Sequence, residues 1–149
     1  MIMTKAERAL ELFGSNFNCS QAVLTAFAAD FGLDEHLTLK LGTSLGSGAR
    51  SGEVCGAISG ALMVLGLKYG QCLSEDHEGK ARAYAVTDEF IRRFKAVRGS
   101  IVCRDLLDYD LSKPEDMVQI REQNLFRTLC PRIIADAVEV LEGVLADFE

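Results

Sequence analysis

The sequence predicts an all-α fold: one domain over residues 1–149, built as a helical bundle of about six to eight helices around a small-residue central helix. Three observations predict it. Apolar residues recur at i, i+3, i+4 and i+7 along most of the chain. Sustained apolar–polar alternation is missing, and no Asn-Gly or Asp-Gly turn marks a hairpin. Gly52, Gly56 and Gly60 lie four apart ahead of and within an apolar stretch, so they share one helix face. Glycine costs about 1 kcal/mol against alanine inside a helix, so three on one face imply that another backbone packs closely there.

The elements follow in order. Thr4 caps a first helix with Glu7 at the capping-box position; Ala6, Ala9, Leu10 and Phe13 form its apolar face and Gly14 ends it. Asn18 caps a second helix whose stripe is Cys19, Ala22, Val23, Ala26 and Phe27, closed by Gly32. Asp34 caps a short third helix holding Leu37, Leu39 and Leu41, which dissolves into Gly42, Gly46 and Gly48. The central helix is expected from about Glu53 to Gly66, capped by Ser51 or Gly52, which places Cys55 in its first turn. Tyr69 to Cys72 form a turn. Ser74 caps a long helix that carries Glu75, Asp76 and Glu78 near its start, as the dipole prefers. That helix buries Ala83, Val86, Thr87, Phe90, Ile91, Phe94 and Val97 and stops at Gly99. Ser100 caps a short helix with Cys103, Leu106 and Leu107, and Asp108 to Lys113 form a loop. Pro114 suits the first position of another short helix, to about Glu122. The last helix begins near Cys130-Pro131, with Cys130, Ile133, Ile134, Ala137, Val138, Leu141, Val144, Leu145 and Phe148 on one stripe.

Composition narrows the function. Hydrophobic residues make up 48% of the 149 residues, enough for a core without disulfide staples. The net charge of −6 argues against nucleic acid, which wants a basic stripe. Arg92, Arg93, Lys95 and Arg98 are one basic group, read as a solvated helix face. The start, Met-Ile-Met-Thr-Lys, has no apolar core followed by a cleavage site, so no signal peptide is expected. The longest apolar run, Val54 to Leu67, is shorter than the ~20 residues of a membrane span. A cytoplasmic protein without a membrane span is the expectation. Apolar residues on so many helices leave room for a homodimer.

The five cysteines carry the chemistry. Cys19, Cys55, Cys103 and Cys130 each fall at the start of an expected helix and on its apolar stripe. Free N–H groups and the positive dipole end stabilise thiolates there, and the thiolate is the form that attacks disulfides and binds metal. Against this stands simple packing, since cysteine is among the most buried residue types. No Cys-x-x-Cys is present to mark a local metal or thioredoxin-type site. Cys72 sits in a turn, off any stripe, and is set apart as an incidental or accessory thiol.

The loop Gly46-Ser-Gly-Ala-Arg-Ser-Gly52 has two readings. It is an anion cradle or a flexible lead that lets the central helix pack tightly. The second is preferred, because a P-loop lysine and a preceding strand are missing. Arg50 and Glu53 flank it, as surface residues or as charges that tune Cys55. His36 and His77, near helix starts beside acidic residues, are expected on the surface, and Tyr69 and Tyr84 at the edge of the core. No Ser/His/Asp pattern or paired carboxylates support hydrolase chemistry.

The segment Gly52-Glu-Val-Cys-Gly-Ala-Ile-Ser-Gly60 resembles the signature of the C_GCAxxG_C_C family. Cys19 corresponds to the early cysteine of that pattern, Cys55-Gly56-Ala57-Ile58-Ser59-Gly60 to its centre, and Cys103 and Cys130 to the two later cysteines. The centre reads Cys-Gly-Ala here, a looser match than the family's letters. The resemblance spans most of the chain and implies redox activity, without a substrate or cofactor.

Three functions remain open on this reading. In the first, the four cysteines cycle between thiol and disulfide or relay electrons to a redox partner, with Cys55 attacking and Cys19 resolving. In the second, the same Cys19, Cys55, Cys103 and Cys130 hold zinc or an iron–sulfur cluster, which four thiolates suit. In the third, the cysteines only pack, and the small-residue face meets a partner. The cofactor is therefore open among none, zinc and a cluster. The first two depend on four helix tips bringing their sulfurs to one interior spot.

Overall fold

Helix α1 (Lys5–Gly14) starts where the Thr4 hydroxyl accepts the Glu7 amide at 3.1 Å, and it buries Ala9 and Leu12. The computed structural model describes residues 2–149; Met1, which opens the stretch read above as lacking a signal peptide, lies outside the described residues. Helix α2 (Cys19–Ala28) opens with a full capping box. Asn18 Oδ1 accepts from the Gln21 amide at 2.9 Å, and Gln21 Oε1 accepts from the Asn18 amide at 2.8 Å. Every residue from Ser20 to Ala28 is buried, so α2 is an internal helix rather than an amphipathic one.

Helix α3 (Glu35–Gly42) is capped by Asp34. Its three leucines do not share a buried face. Leu37 and Leu41 are exposed, and only Leu39 packs on the core. The face α3 gives to α2 is polar and small: Thr38 bonds Thr25 at 3.1 Å between hydroxyls, and a Cβ on Gly42 would lie 2.9 Å from Gln21 Cα.

Helix α4 (Gly56–Tyr69) is the central helix and is buried on several sides through Ala57, Ile58, Ala61, Val64 and Leu65. It begins three residues later than the expected Glu53, with Cys55 rather than Ser51 or Gly52 as its N-cap. The residues before it are spent in a left-handed turn described below. Helix α5 (His77–Arg98) is capped by Asp76, whose carboxylate accepts the Gly79 amide at 2.9 Å, not by Ser74. Its Val86, Phe90 and Phe94 are buried, while Val97, at the end of the expected stripe, is exposed. Helix α6 (Cys103–Leu107) has Val102 as its N-cap. Ser100 instead accepts the Val102 amide at 3.0 Å and donates to Asp105 at 2.9 Å. Helices α7 (Pro114–Glu122), α8 (Leu125–Thr128, a single turn) and α9 (Cys130–Asp147) complete the chain. Among the described residues the only β-type pairing is one isolated antiparallel bridge, Val54 with Val102.

Helix α2 makes its widest contact with α4 and also packs on α1 and α3. Helix α4 meets α5 and α9 on its other sides, and α9 closes on α1 and α5. The stacked Phe90 and Phe94 of α5 are fully buried, each contributing about 1.5–3 kcal/mol. The glycine face of the central helix is the α2–α4 contact. A Cβ on Gly60 would lie 2.9 Å from Ser20 O, and one on Gly56 would lie 2.5 Å from Cys19 Sγ. Gly52 is not part of that face. It precedes α4 with φ +71°, and its hydrogen points at Asp110.

The basic group on α5 is largely paired: Arg92 and Arg93 bond Glu89, Arg93 also reaches Asp147 at 2.8 Å, and Arg98 holds Asp136 at 2.6 Å. Among the described residues no helix is long and apolar enough to cross a membrane.

Candidate functional site

All four helix-start cysteines line one cavity of about 60 Å³. Cys19 is the first residue of α2, Cys55 the N-cap of α4, Cys103 the first residue of α6 and Cys130 the first residue of α9. Cys55 and Cys103 are buried, and Cys19 and Cys130 half-buried; all four are free thiols. The rest of the wall is mainly apolar, from Phe13, Leu106, Leu107, Phe126, Ile133 and Ile134. Cys72 is exposed and lies outside the cavity.

Two features of the backbone build the site around these cysteines, and the first brings Cys55 and Cys103 together. The Cys55 amide donates to Ile101 O at 2.8 Å, and the Cys103 amide donates to Glu53 O at 2.6 Å. These bonds flank the Val54–Val102 bridge and tie the start of α6 to the start of α4. Nothing in the sequence pattern marked this pairing, because it is too short to show alternation.

The glycine-rich loop makes the second feature. Ser47, Gly48, Ala49 and Arg50 all have φ between +56° and +63°, so four successive residues are left-handed. Three of them carry a Cβ, and each such residue costs about 1–2 kcal/mol. Strain of this kind persists where the surroundings over-determine it, often beside a site. Here the turn brings the Ser47 amide onto Cys19. Arg50 and Glu53 are exposed, and Glu53 pairs with Arg104 at 2.9 Å, so neither flanks the Cys55 sulfur.

The electrostatics separate the four thiols. Hydrogen bonding from Cys55 lowers Cys19 from the ordinary 9.0 to about 7, against the opposing effect of burial; the amides of Ser47, Ser20 and Ala57 add to the lowering. Ser20 and Ala57 are second residues of α2 and α4, so their N–H groups have no partner within their own helices. Two helix starts and one loop therefore direct donors at a single sulfur. Cys55 is pushed well above 9.0, first by its hydrogen bond to Cys19, then by burial. Burial pushes Cys103 up to about 12, with the Cys19 charge adding to it. Burial also pushes Cys130 up to about 12. Pro131 follows Cys130 and brings no N–H, and α6 is only five residues long. Of the four helix-start thiols, only Cys19 is lowered. The donors differ from site to site although the sequence positions look alike.

Among the described residues no group of three or more His, Cys, Asp or Glu side chains is disposed to hold a metal ion. Cys19, Cys55, Cys103 and Cys130, the expected zinc or iron–sulfur ligands, share the cavity wall without forming such a group. His36 and His77 are exposed. Tyr69 is buried with its hydroxyl on Phe148 O at 3.0 Å, whereas Tyr84 is exposed rather than at the edge of the core.

No curated protein and no solved structure matches the chain. A family model does, described as "Putative redox-active protein (C_GCAxxG_C_C)", and the match runs from residue 17 to 144, through all four cavity cysteines. The chain belongs to the C_GCAxxG_C_C family.

Proposed function

We propose that this chain is a two-electron thiol redox protein in which Cys19 and Cys55 alternate between a thiolate–thiol pair and a disulfide. The observation that carries this is the placement of the Cys19 sulfur against the start of α4, where a Cβ on Gly56, the residue after Cys55, would lie 2.5 Å from it and where both cysteines line one cavity. Cys19 is the attacking sulfur and Cys55 the resolving one, the reverse of the order expected from the sequence. Three backbone amides favour a negative charge on Cys19 and one favours it on Cys55. Cys103 and Cys130 serve as neutral thiols on the cavity wall. Five free thiols support a reducing compartment, so we place the protein in the cytoplasm.

Thiol counting tests this. Protein reduced and handled without oxygen should titrate five thiols in denaturant. After mild oxidation it should titrate three, and a dithiol should restore five. The Cys72→Ser variant should lose the same two, and Cys19→Ser or Cys55→Ser should lose none by intramolecular pairing. Retention of all five under every oxidant would remove the proposal and leave the cysteines as packing residues.

A further inference from the structure

Beside the Cys19–Cys55 pair lies space for a reactant, and its size and lining limit what enters. A dry apolar cavity of about 150 Å³ accommodates benzene, six carbon atoms. In proportion, a cavity of about 60 Å³ has room for about two or three non-hydrogen atoms. None of the described residues that line it is an acid or base other than the cysteines themselves. The lining offers no counter-charge for a carboxylate or phosphate, and burying an unpaired anion is costly. Peptide disulfides and glutathione disulfide are too large to sit inside the cavity, and the latter is also charged. Even the smallest dialkyl disulfide fills more than the space. What remains is a small uncharged electrophile that two sulfurs can reduce.

We propose that the cavity takes a small neutral hydroperoxide, hydrogen peroxide or one bearing a single carbon, and that Cys19 and Cys55 reduce it. This rests on the reading of the two as a redox pair. The Cys19 thiolate attacks the nearer oxygen, the O–O bond breaks, and a sulfenic acid forms on Cys19. The leaving oxygen takes the proton of the Cys55 thiol and departs as an alcohol or water. That same proton transfer turns Cys55 into a thiolate. It then attacks the Cys19 sulfur, forms the disulfide and expels hydroxide. In sum, one thiolate, one thiol and one hydroperoxide give one disulfide, one alcohol and one hydroxide; the two sulfurs lose two electrons and the peroxide gains them. The Cys55 thiol, on the same cavity wall as Cys19, is thus both the acid for the first step and the source of the nucleophile for the second.

The test is a quenched-flow measurement on reduced Cys72→Ser protein, counting thiols and mapping disulfides against time. Hydrogen peroxide and methyl hydroperoxide should each form the Cys19–Cys55 disulfide, and tert-butyl hydroperoxide should do so at least about 100-fold more slowly, since its branched carbons cannot bring the oxygen to the sulfur. Phe126→Ala, which widens the cavity at a half-buried position, should raise the tert-butyl rate relative to the peroxide rate by about tenfold. Leu106→Ala should act in the same direction if the first variant loses its helical circular dichroism. In Cys55→Ser the sulfenic acid on Cys19 should accumulate and be trapped by a cyclic 1,3-dione. Equal rates for the small and bulky hydroperoxides, or reaction no faster than that of free cysteine, would overturn the proposal. If glutathione disulfide forms the disulfide and peroxides do not, the substrate class fails and the redox pair stands. If no oxidant forms it, both fail.

Discussion

Cys19 and Cys55 line one cavity, and each is the largest influence on the other's acid–base character: Cys19 falls to about 7 and Cys55 rises well above 9.0. The arrangement is made possible by a missing side chain. Gly56, next to Cys55, lies so close to Cys19 that a Cβ would stand 2.5 Å from Sγ. Helix α4 can therefore bring its first free amides and its N-cap thiol onto the first residue of α2.

This asymmetry fixes a pH dependence. Alkylation of Cys19 by iodoacetamide should rise with pH through a midpoint near 7. Cys55→Ala removes the largest cause of the lowering, so the midpoint should move up by about one unit, the size of a single hydrogen bond of about 1.4 kcal/mol. A midpoint that stays near 7 in that variant would assign the lowering to the backbone amides alone.

Stability should follow pH in two opposed limbs. Cys19 has a folded value below its unfolded one, so its contribution is present above pH 9 and is lost as pH falls from about 9 through 7. Cys103 and Cys130 have folded values near 12, above the unfolded 9.0, so their contribution is present below pH 9 and is lost as pH rises from 9 toward 12. Each can cost up to about 1.4 kcal/mol per pH unit on that upper limb. Urea unfolding at a series of pH values should show a decline above pH 9, and Cys103→Ala should make it shallower whatever its effect on absolute stability.

Two glycines of α4 should respond oppositely to alanine. Gly56→Ala forces a methyl group against Cys19 Sγ, Leu45 O at 3.0 Å and Ser20 N at 3.1 Å, so it should destabilise by about 1–3 kcal/mol and slow the reaction of Cys19. Gly66 is exposed with nothing within 4 Å, so Gly66→Ala should stabilise by about 0.5–1 kcal/mol and leave Cys19 unaffected. Denaturant midpoints and alkylation rates of the two variants check both statements.

Much of this architecture is legible along the chain because it rests on local signals. Asn18 and Gln21 announce the capping box that opens α2, and Pro131 with its long apolar stripe announces α9. Gly56 and Gly60 announce a close helix contact, and the structure makes it with α2. The start of α4 is misjudged because Ser47, Ala49 and Arg50 adopt left-handed backbone that few residues other than glycine advertise. The Val54–Val102 bridge is hidden because its two halves are far apart in sequence and one residue pair long. The opposite shifts of Cys19 and Cys55 are hidden for a related reason. They depend on the Ser47 and Ala57 amides, which reach Cys19 only through tertiary packing. Helix-start position, which sequence does show, is shared by all four cysteines and so does not rank them.

Disulfide mapping after partial oxidation probes the central claim most directly. Reduced protein should be exposed to less than one equivalent of oxidant, its remaining thiols blocked in acid, and its peptides analysed by mass spectrometry. The account predicts that the first disulfide to form joins Cys19 to Cys55, ahead of any bond to Cys72, Cys103 or Cys130. A first disulfide between Cys103 and Cys130, or oxidation confined to exposed Cys72, would contradict it.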